Sequence, residues 1–386
     1  MSQMFASALG LSVTNYDATL ASWSSQALQN NVTFDAGTSK YCNSEAQRQS
    51  IITNFSWTIN DAGKDCGSPP RPFIIQVKTD NPGTTSNNQF LIPTDSNYIY
   101  NYNVDCNNDG TPEYTNQTGD VTCTYGSTGQ YDVAISGIFP YWNGGMGLEQ
   151  LKIIDVKQWG DIDWQDMAYM FYEASNMTMS ATDAPGLSSV TDMSWMFNGA
   201  ASFNSNINSW DVSNVENMAG LFSGATSFNQ PLNSWNVGNV YDLHSIFLDA
   251  ISFNQSLDSW NVGSLLDARF MFFGAISFNQ PLNSWDVSNV TTMESMFQDA
   301  IAFNQTLNSW DVSSVVNMSR MFQHATSFNQ PLNGWDVSNT NNMMLMFFDA
   351  TLFNQPLNSW DVGSVTNLQG MFGYATSLIN HLIIGV

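Results

Sequence analysis

The chain is poor in positive charge. Of its 386 residues nine are Lys or Arg and 33 are Asp or Glu, a formal net charge of −24. Beyond Lys157, only Arg269 and Arg320 carry a permanent positive charge. Such a surface repels phosphates and anionic headgroups, which disfavours nucleic acid and anionic membranes as partners. Histidine is also scarce: His244, His324 and His381 are scattered. No G-x-S-x-G, H-E-x-x-H, P-loop or dinucleotide fingerprint places a nucleophile, a metal or a phosphate. Carboxylate pairs such as Asp161 and Asp163 are abundant in an acidic chain and read as solvated, not as a glycosidase pair. The expectation is a protein without enzymatic activity and without a cofactor.

Long apolar runs are missing too. No stretch of about 20 apolar residues exists to span a bilayer as a helix. The opening "MSQMFASALG" lacks the basic start and apolar run of a secretory leader. Cysteine is limited to Cys42, Cys66, Cys106 and Cys123. None form a C-x-x-C pair, so zinc or thioredoxin-like chemistry is not expected. Four cysteines allow three connectivities, and pairing of sequence neighbours is the favoured one. Each such bridge closes a loop of about 20 residues, worth roughly 3 kcal/mol. Disulfides need an oxidising compartment. Only 11% of residues are charged, and Asn, Ser, Thr and Gly fill the remaining polar surface. Both features point to an extracellular protein, secreted or at the cell surface. Asn31, Asn116, Asn289 and Asn304 lie in N-x-[ST] sites that accept glycans in a suitable host.

What the chain does have is a 25-residue unit. Trp210, Trp235, Trp260, Trp285, Trp310, Trp335 and Trp360 recur at that step, and Phe203 through Phe353 keep the same phase. Self-similarity of this period means stacked repeats. In the copy "FNQPLNSWDVSNVTTMESMFQDA", Val290, Met293, Met296, Phe297 and Ala300 fall on one face of a helix. Ser288 or Asn289 is its candidate cap. Phe278 to Val287, with Leu282 and Trp285 between turn residues, predicts a short strand. The asparagine column from Asn204 to Asn354 reads as amides satisfying backbone groups at each bend. The column Asp211, Asp286, Asp311, Asp336 and Asp361 reads as capping and solvation in preference to a calcium ladder.

The pattern W-[DN]-V-[SG]-[NS]-V-x-x-M-x-x-M-F-x-x-A-x-x-F-N-Q-x-L resembles the leucine-rich-type repeats of BspA-like bacterial surface proteins over about 190 to 378. The resemblance implies a secreted or surface-displayed adhesive or structural protein, without naming a ligand. The fold class expected is an α/β solenoid of these repeats, one short strand plus one short helix each. An all-β immunoglobulin- or PKD-like sandwich and an N-terminal cap-like segment accompany it.

Residues 1–66 form the cap-like segment, which resembles the C-terminal closing end of a BspA-like array. Helices are expected around Leu20 and Trp23 and from Ser44 to Asn54, with a strand near Phe55 to Ile59. Residues 67–72, "GSPPRP", read as a linker. Residues 73–140 alternate as strands ("FIIQVKT", "NQFLIP", "YIYNYNVDC", "VTCTYG", "QYDVAISG"), as in a β-sandwich. This stretch resembles a PKD-like module whose usual W-G-D-G turn is replaced by "CNNDG". Asp105, Asn107 and Asp109 have the oxygen spacing of the first half of a calcium loop. Position 12 is Asn116 instead of Glu, and an Asn/Asp-Gly turn is preferred to calcium. Residues 141–190 are the opening cap of the solenoid, and 191–386 the array.

Two functional readings follow. The first is head-to-tail self-assembly into an extracellular filament, because both ends of the chain share the Met-Phe-x-x-Ala phase. Met4, Phe5, Ala8 and Leu11 of one subunit would stack on Met371, Phe372, Leu378, Leu382, Ile383 and Ile384 of the next. The alternative is a monomeric adhesin that binds host protein or glycan through the solenoid face.

Overall fold

A computed structural model describes residues 11–66, 70–145 and 147–378. The chain divides into two compact units, Met1–Arg71 and Pro72–Val386.

In the first unit a helix, α1 (Val13–Ser24), precedes a short strand, β1 (Thr33–Asp35). A second helix, α2 (Glu45–Phe55), precedes a second strand, β2 (Thr58–Asn60). The strands pair in parallel with Thr33 opposite Thr58 and Phe34 opposite Ile59, a step of 25. Ser12 caps α1 by accepting from the Asn15 N–H. The start of α2 is held by a residue of α1. The Asp17 carboxylate accepts from the N–H groups of Cys42 (3.0 Å), Asn43 (2.9 Å) and Ser44 (3.0 Å). Burial pushes that carboxyl up, but these hydrogen bonds outweigh it and hold Asp17 below the usual carboxylate range. Tyr16, Leu20, Phe34, Ile51, Trp57 and Ile59 close a small core of their own.

The second unit opens with strands β3 (Phe73–Lys78), β4 (Gln89–Ile92), β5 (Asn101–Asp105), β6 (Tyr114–Gln117), β7 (Val121–Thr124) and β8 (Gln130–Ile138). β3 alternates buried and half-buried positions, the period-2 pattern of a strand with one face in the core. After a 3-10 turn at Glu149–Lys152 come β9 (Ile153–Gln158) and β10 (Thr178–Met179). Six strands form one sheet in the order β10-β9-β3-β8-β5-β6, and β4 and β7 form a separate pair. β9, which the sequence places in the opening cap, thus pairs antiparallel with β3. β10 in turn pairs in parallel with β9, so one sheet runs from the strand-rich stretch into the start of the repeats. Trp142, Trp159 and Trp164 are buried here with Phe73 and Phe139. Most of these rings meet edge-on, as Phe73 does Trp164 at 5.2 Å and 88°, while Phe73 and Trp159 stack at 5.4 Å and 28°. Edge-on contact suits the quadrupoles of aromatic rings.

The repeats correct the expected fold. No α/β solenoid of strand-plus-helix units is formed: among the described residues both α-helices lie in the first unit, and 191–378 hold only turns and single-residue bridges. Parallel bridges run from Asp192 to Asn217, to Asp242 and onward to Asn367, one per coil. In a representative coil the N–H groups of Met293, Ser295, Phe297 and Asp299 donate to the carbonyls of Asn317, Ser319, Met321 and Gln323 in the next coil, each at 2.9 Å. Between them Met296, Gln298 and Ala300 donate three residues back, each at 3.2 Å. Ser295 and Asp299 sit at φ of 54° and 58°. An α-helix would send every N–H four residues back, and L-residues avoid the left-handed region in a helix. Turns of about three residues bury Met293, Met296, Phe297 and Ala300 at the spacing that mimics a helix face.

The expected strand from Phe278 to Val287 is likewise a pair of turns, closed by Trp285 N–H to Leu282 O (3.2 Å) and Val290 N–H to Val287 O (2.9 Å). Aromatic columns run through this stack. Phe272, Phe297 and Phe322 lie face to face at 5.5 Å and 5.7 Å. Each Trp from Trp235 onward donates its indole N–H to a carbonyl of the preceding coil, as Trp285 does to Leu257 O at 3.0 Å.

Candidate functional site

Each coil has two left-handed positions four residues apart. The first holds Trp195, Gly220, Ser245, Phe270, Ser295 and Arg320 in successive coils, and the second Gly199, Gly224, Asp249, Gly274, Asp299 and His324. The first two residues between them, such as Met296 and Phe297, stay apolar and buried, whereas the third, the two left-handed positions and their neighbours vary. Their side chains share one side of the ladder and make contacts in three groups. Trp195 lies over Gly220, where a Cβ would stand 2.2 Å from the indole, and meets His244 two coils on at 5.8 Å. Phe270 packs with Phe273 at 6.1 Å. Phe348 contacts both His324 (5.8 Å) and Tyr374 (5.2 Å).

Every Lys, Arg and His of residues 191–378 stands on this face, each beside a carboxylate. His244 Nδ1 is 2.7 Å from Asp242, Arg269 is 2.6 Å from Asp267, and His324 Nδ1 is 2.8 Å from Asp299. Arg320 is 3.8 Å from Glu294. The hydrogen bond to Asp242 holds His244 above the ordinary imidazole range, although burial pulls it down. Burial in turn pushes Asp242 up, but the bonds from His244 prevail and its carboxyl is lowered. In the ladder's own columns Asp192, Asp242, Asp249, Asp267, Glu294, Asp299 and Asp349 outnumber Arg269 and Arg320, so this face is negative overall. Aromatic faces rimmed by carboxylates suit a cationic ligand.

The asparagine column behaves as the bends require. Asn279 Oδ1 accepts from the Asn304 N–H and from Gln305 Nε2, both at 2.9 Å. The acidic column caps turns: Asp286 Oδ1 accepts from the Ser288 N–H at 3.1 Å and Asp311 Oδ1 from the Ser313 N–H at 3.0 Å. Hydrogen bonds from Ser288 hold the Asp286 carboxyl low.

Cys42–Cys66 and Cys106–Cys123 are disulfides, which fit an oxidising, non-cytoplasmic compartment. Among the described residues no helix is long and apolar enough to cross a membrane. Asp105, Asn107 and Asp109 come together in one loop, but their oxygens face backbone N–H groups. Asp105 accepts from Asp109 N–H (3.1 Å) and Gly110 N–H (2.7 Å), Asn107 Oδ1 from Asp109 N–H (3.1 Å), and Asp109 from Thr111 N–H (2.9 Å). Among the described residues no three His, Cys, Asp or Glu side chains converge as a metal site. Of the expected assembly residues, Met4, Phe5, Ala8, Leu382, Ile383 and Ile384 lie outside the described residues. Leu11 packs on the first unit's core, with its N–H on Ser39 Oγ at 2.8 Å. Met371 is buried, Leu378 is half-buried, and Phe372 is 37% exposed while stacked on Phe347 at 5.7 Å.

The face of the turn ladder is not foreseen in the sequence reading, which takes the segment as a helix. Its signal is present in the second column, where Gly199, Gly224, Asp249, Gly274, Asp299 and Asp349 are residue types that tolerate positive φ. Also unforeseen is a buried ion pair. Lys152 Nζ lies 3.4 Å from Glu149 Oε1 and donates to Thr85 Oγ1 (2.7 Å), Ser86 O (3.1 Å) and Gln89 O (2.9 Å).

No curated protein and no solved structure matches the sequence. Residues 165–285 and 267–383, together more than half of the chain, match a family described as "Mycoplasma protein of unknown function, DUF285", and the chain belongs to that family.

Proposed function

We propose that the protein is a non-enzymatic, extracellular adhesive protein that binds a basic protein partner through the face of the turn ladder. The observation that carries this reading is the gathering of the variable aromatic side chains Trp195, Phe270, Phe273 and Phe348 with the array's cation–carboxylate pairs on one face. A partner bearing Lys and Arg gains cation–π contacts there and is steered by the excess of carboxylates. The disulfides and the resemblance to BspA-like surface proteins support display outside the cell. The test is selection of a phage-displayed random dodecapeptide library on the full chain. Enriched peptides rich in Lys and Arg that fail to bind the Phe270→Ser/Phe273→Gln variant support the reading. Both replacements are residues that other coils place in those columns, and neither changes the charge. Peptides without basic character, or indifferent to the double substitution, contradict it.

A second reading is end-to-end stacking of subunits into a filament. It rests on the phase shared by two stretches of the sequence, Met4, Phe5 and Ala8 with Met371, Phe372 and Ala375. Within the array each asparagine oxygen from Asn204 to Asn329 accepts from the following coil, so coils of this type stack by a repeating set of bonds. Negative-stain electron microscopy under non-reducing conditions tests this, comparing the full chain with one lacking residues 1–66. Filaments that vanish on deletion support it, and monodisperse particles of the full chain exclude it.

A further inference from the structure

At the first Trp of the series the stack opens into a groove of about 740 Å³, lined by Thr182, Asn206, Ser209, Trp210, Asp211 and Asn236 among others. The opening has a local cause. The coils on either side of this junction are 26 residues apart, as at Met177 and Phe203, so Ala181 stands where later coils place Ile207, Leu232 and Leu257. Asn206 stands in the column of Pro231, Pro281 and Pro331. A small side chain, with the exposed Thr182 beside it, replaces the branched apolar one of later coils. A volume of this size lies in the range of small-ligand sites.

The groove's polar groups are only partly engaged by the fold. Asn206 Oδ1 accepts from the Asn208 N–H at 3.0 Å, and Asn236 Oδ1 from the Gly238 N–H at 3.2 Å. Asp211 Oδ1 accepts from the Ser213 N–H at 3.2 Å. Both amide Nδ2 groups have no partner among the hydrogen bonds of the described residues, while the Ser213 hydroxyl also bonds the Asp211 carboxylate. Asn208 is spoken for, since it exchanges two bonds with Ser234 at 2.9 Å and 3.0 Å and so fixes the spacing of the coils. The lining offers amide donors, hydroxyls and a carboxylate acceptor, without a cation.

An anionic ligand would meet Asp211 uncompensated, and an apolar one would leave the amides unpaired at a cost. Vicinal hydroxyls both donate and accept and satisfy the mixture. We propose that this groove is a binding site for a neutral oligosaccharide. The site is separate from the ladder face and does not depend on it.

Saturation-transfer NMR of the full chain tests it, using neutral trisaccharides of hexose and N-acetylhexosamine, with a sialylated trisaccharide and a random tripeptide mixture for comparison. Transfer to a neutral trisaccharide is expected, weakened about tenfold or more by the loss of one or two hydrogen bonds in Asn206→Ala. It is abolished in Ala181→Leu, which restores the side chain of later coils and fills the groove. Thermal unfolding of both variants should match the parent. No transfer to any neutral saccharide, transfer unchanged in both variants, or preference for the sialylated sugar or the peptides overturns the proposal.

Discussion

Single side chains in the array are repeated in register, so one substitution removes one rung of a column. Asn279 accepts two hydrogen bonds from the next coil, and Asn279→Ala leaves the Asn304 N–H without its acceptor. A buried donor left unpaired costs about 1–3 kcal/mol, measurable as a lowered urea midpoint. Replacement by Asp, which keeps the acceptor oxygens, should recover part of that loss. In the first unit the Asp17 carboxyl is lowered on folding by the N–H groups at the start of α2. Its stabilising contribution is therefore fully present above the unfolded value of about 3.9. It is lost as pH falls through the lower folded value. The melting temperature of the first unit, followed by Trp23 and Trp57 fluorescence, should fall in that acid window, and Asp17→Asn should flatten the profile. Residue-level burial was legible from sequence, because Met293, Met296, Phe297 and Ala300 are as buried as their spacing demands. The backbone that buries them was not, since three-residue turns and a helix share that spacing. Gly and Asp recurring in one fixed column, from Gly199 to Asp349, distinguish the two.

At the scale of elements, the strands of the second unit follow the alternation that predicts them. "FIIQVKT" and "NQFLIP" contain β3 and β4, and "QYDVAISG" is β8 without its last residue, Ile138. The pairing of β9 with β3 was not legible, because it joins segments about 80 residues apart through contacts that no local pattern encodes. Helix-and-strand pairs appear instead in the first unit, as α1 with β1 and α2 with β2, and there the two strands stand a step of 25 apart. The Glu149–Lys152 pair ties the 3-10 turn to the segment between β3 and β4. Glu149 accepts from Thr84 N–H (2.8 Å) and Leu91 N–H (3.0 Å) while Lys152 binds carbonyls of that segment. Lys152→Met leaves a buried carboxylate unpaired and should cost about 3–5 kcal/mol. Replacing both residues by apolar ones should cost much less. A double-mutant cycle by chemical denaturation checks the difference.

On the scale of the whole molecule, the array behaves as a stack in which each coil bonds only to its neighbours. Deleting one full repeat, 281–305, keeps every column in phase and should leave a folded chain with lower stability. Deleting 13 residues from the same stretch breaks the register of the Phe, Trp and Asn columns together. A protease-resistance comparison of the two deletions should separate them clearly. The acidic surface bears on function at this scale, because a basic partner steered by it should bind less tightly as salt is raised. Salt alone would also weaken a nonspecific encounter. The decisive measurement is therefore calorimetric titration of a selected Lys/Arg-rich peptide into the full chain and into Phe270→Ser/Phe273→Gln at equal net charge. Our account predicts a loss of about tenfold or more in affinity, corresponding to about 1.4 kcal/mol, with an unchanged melting temperature. Equal affinity for the two proteins would contradict recognition by the turn-ladder face.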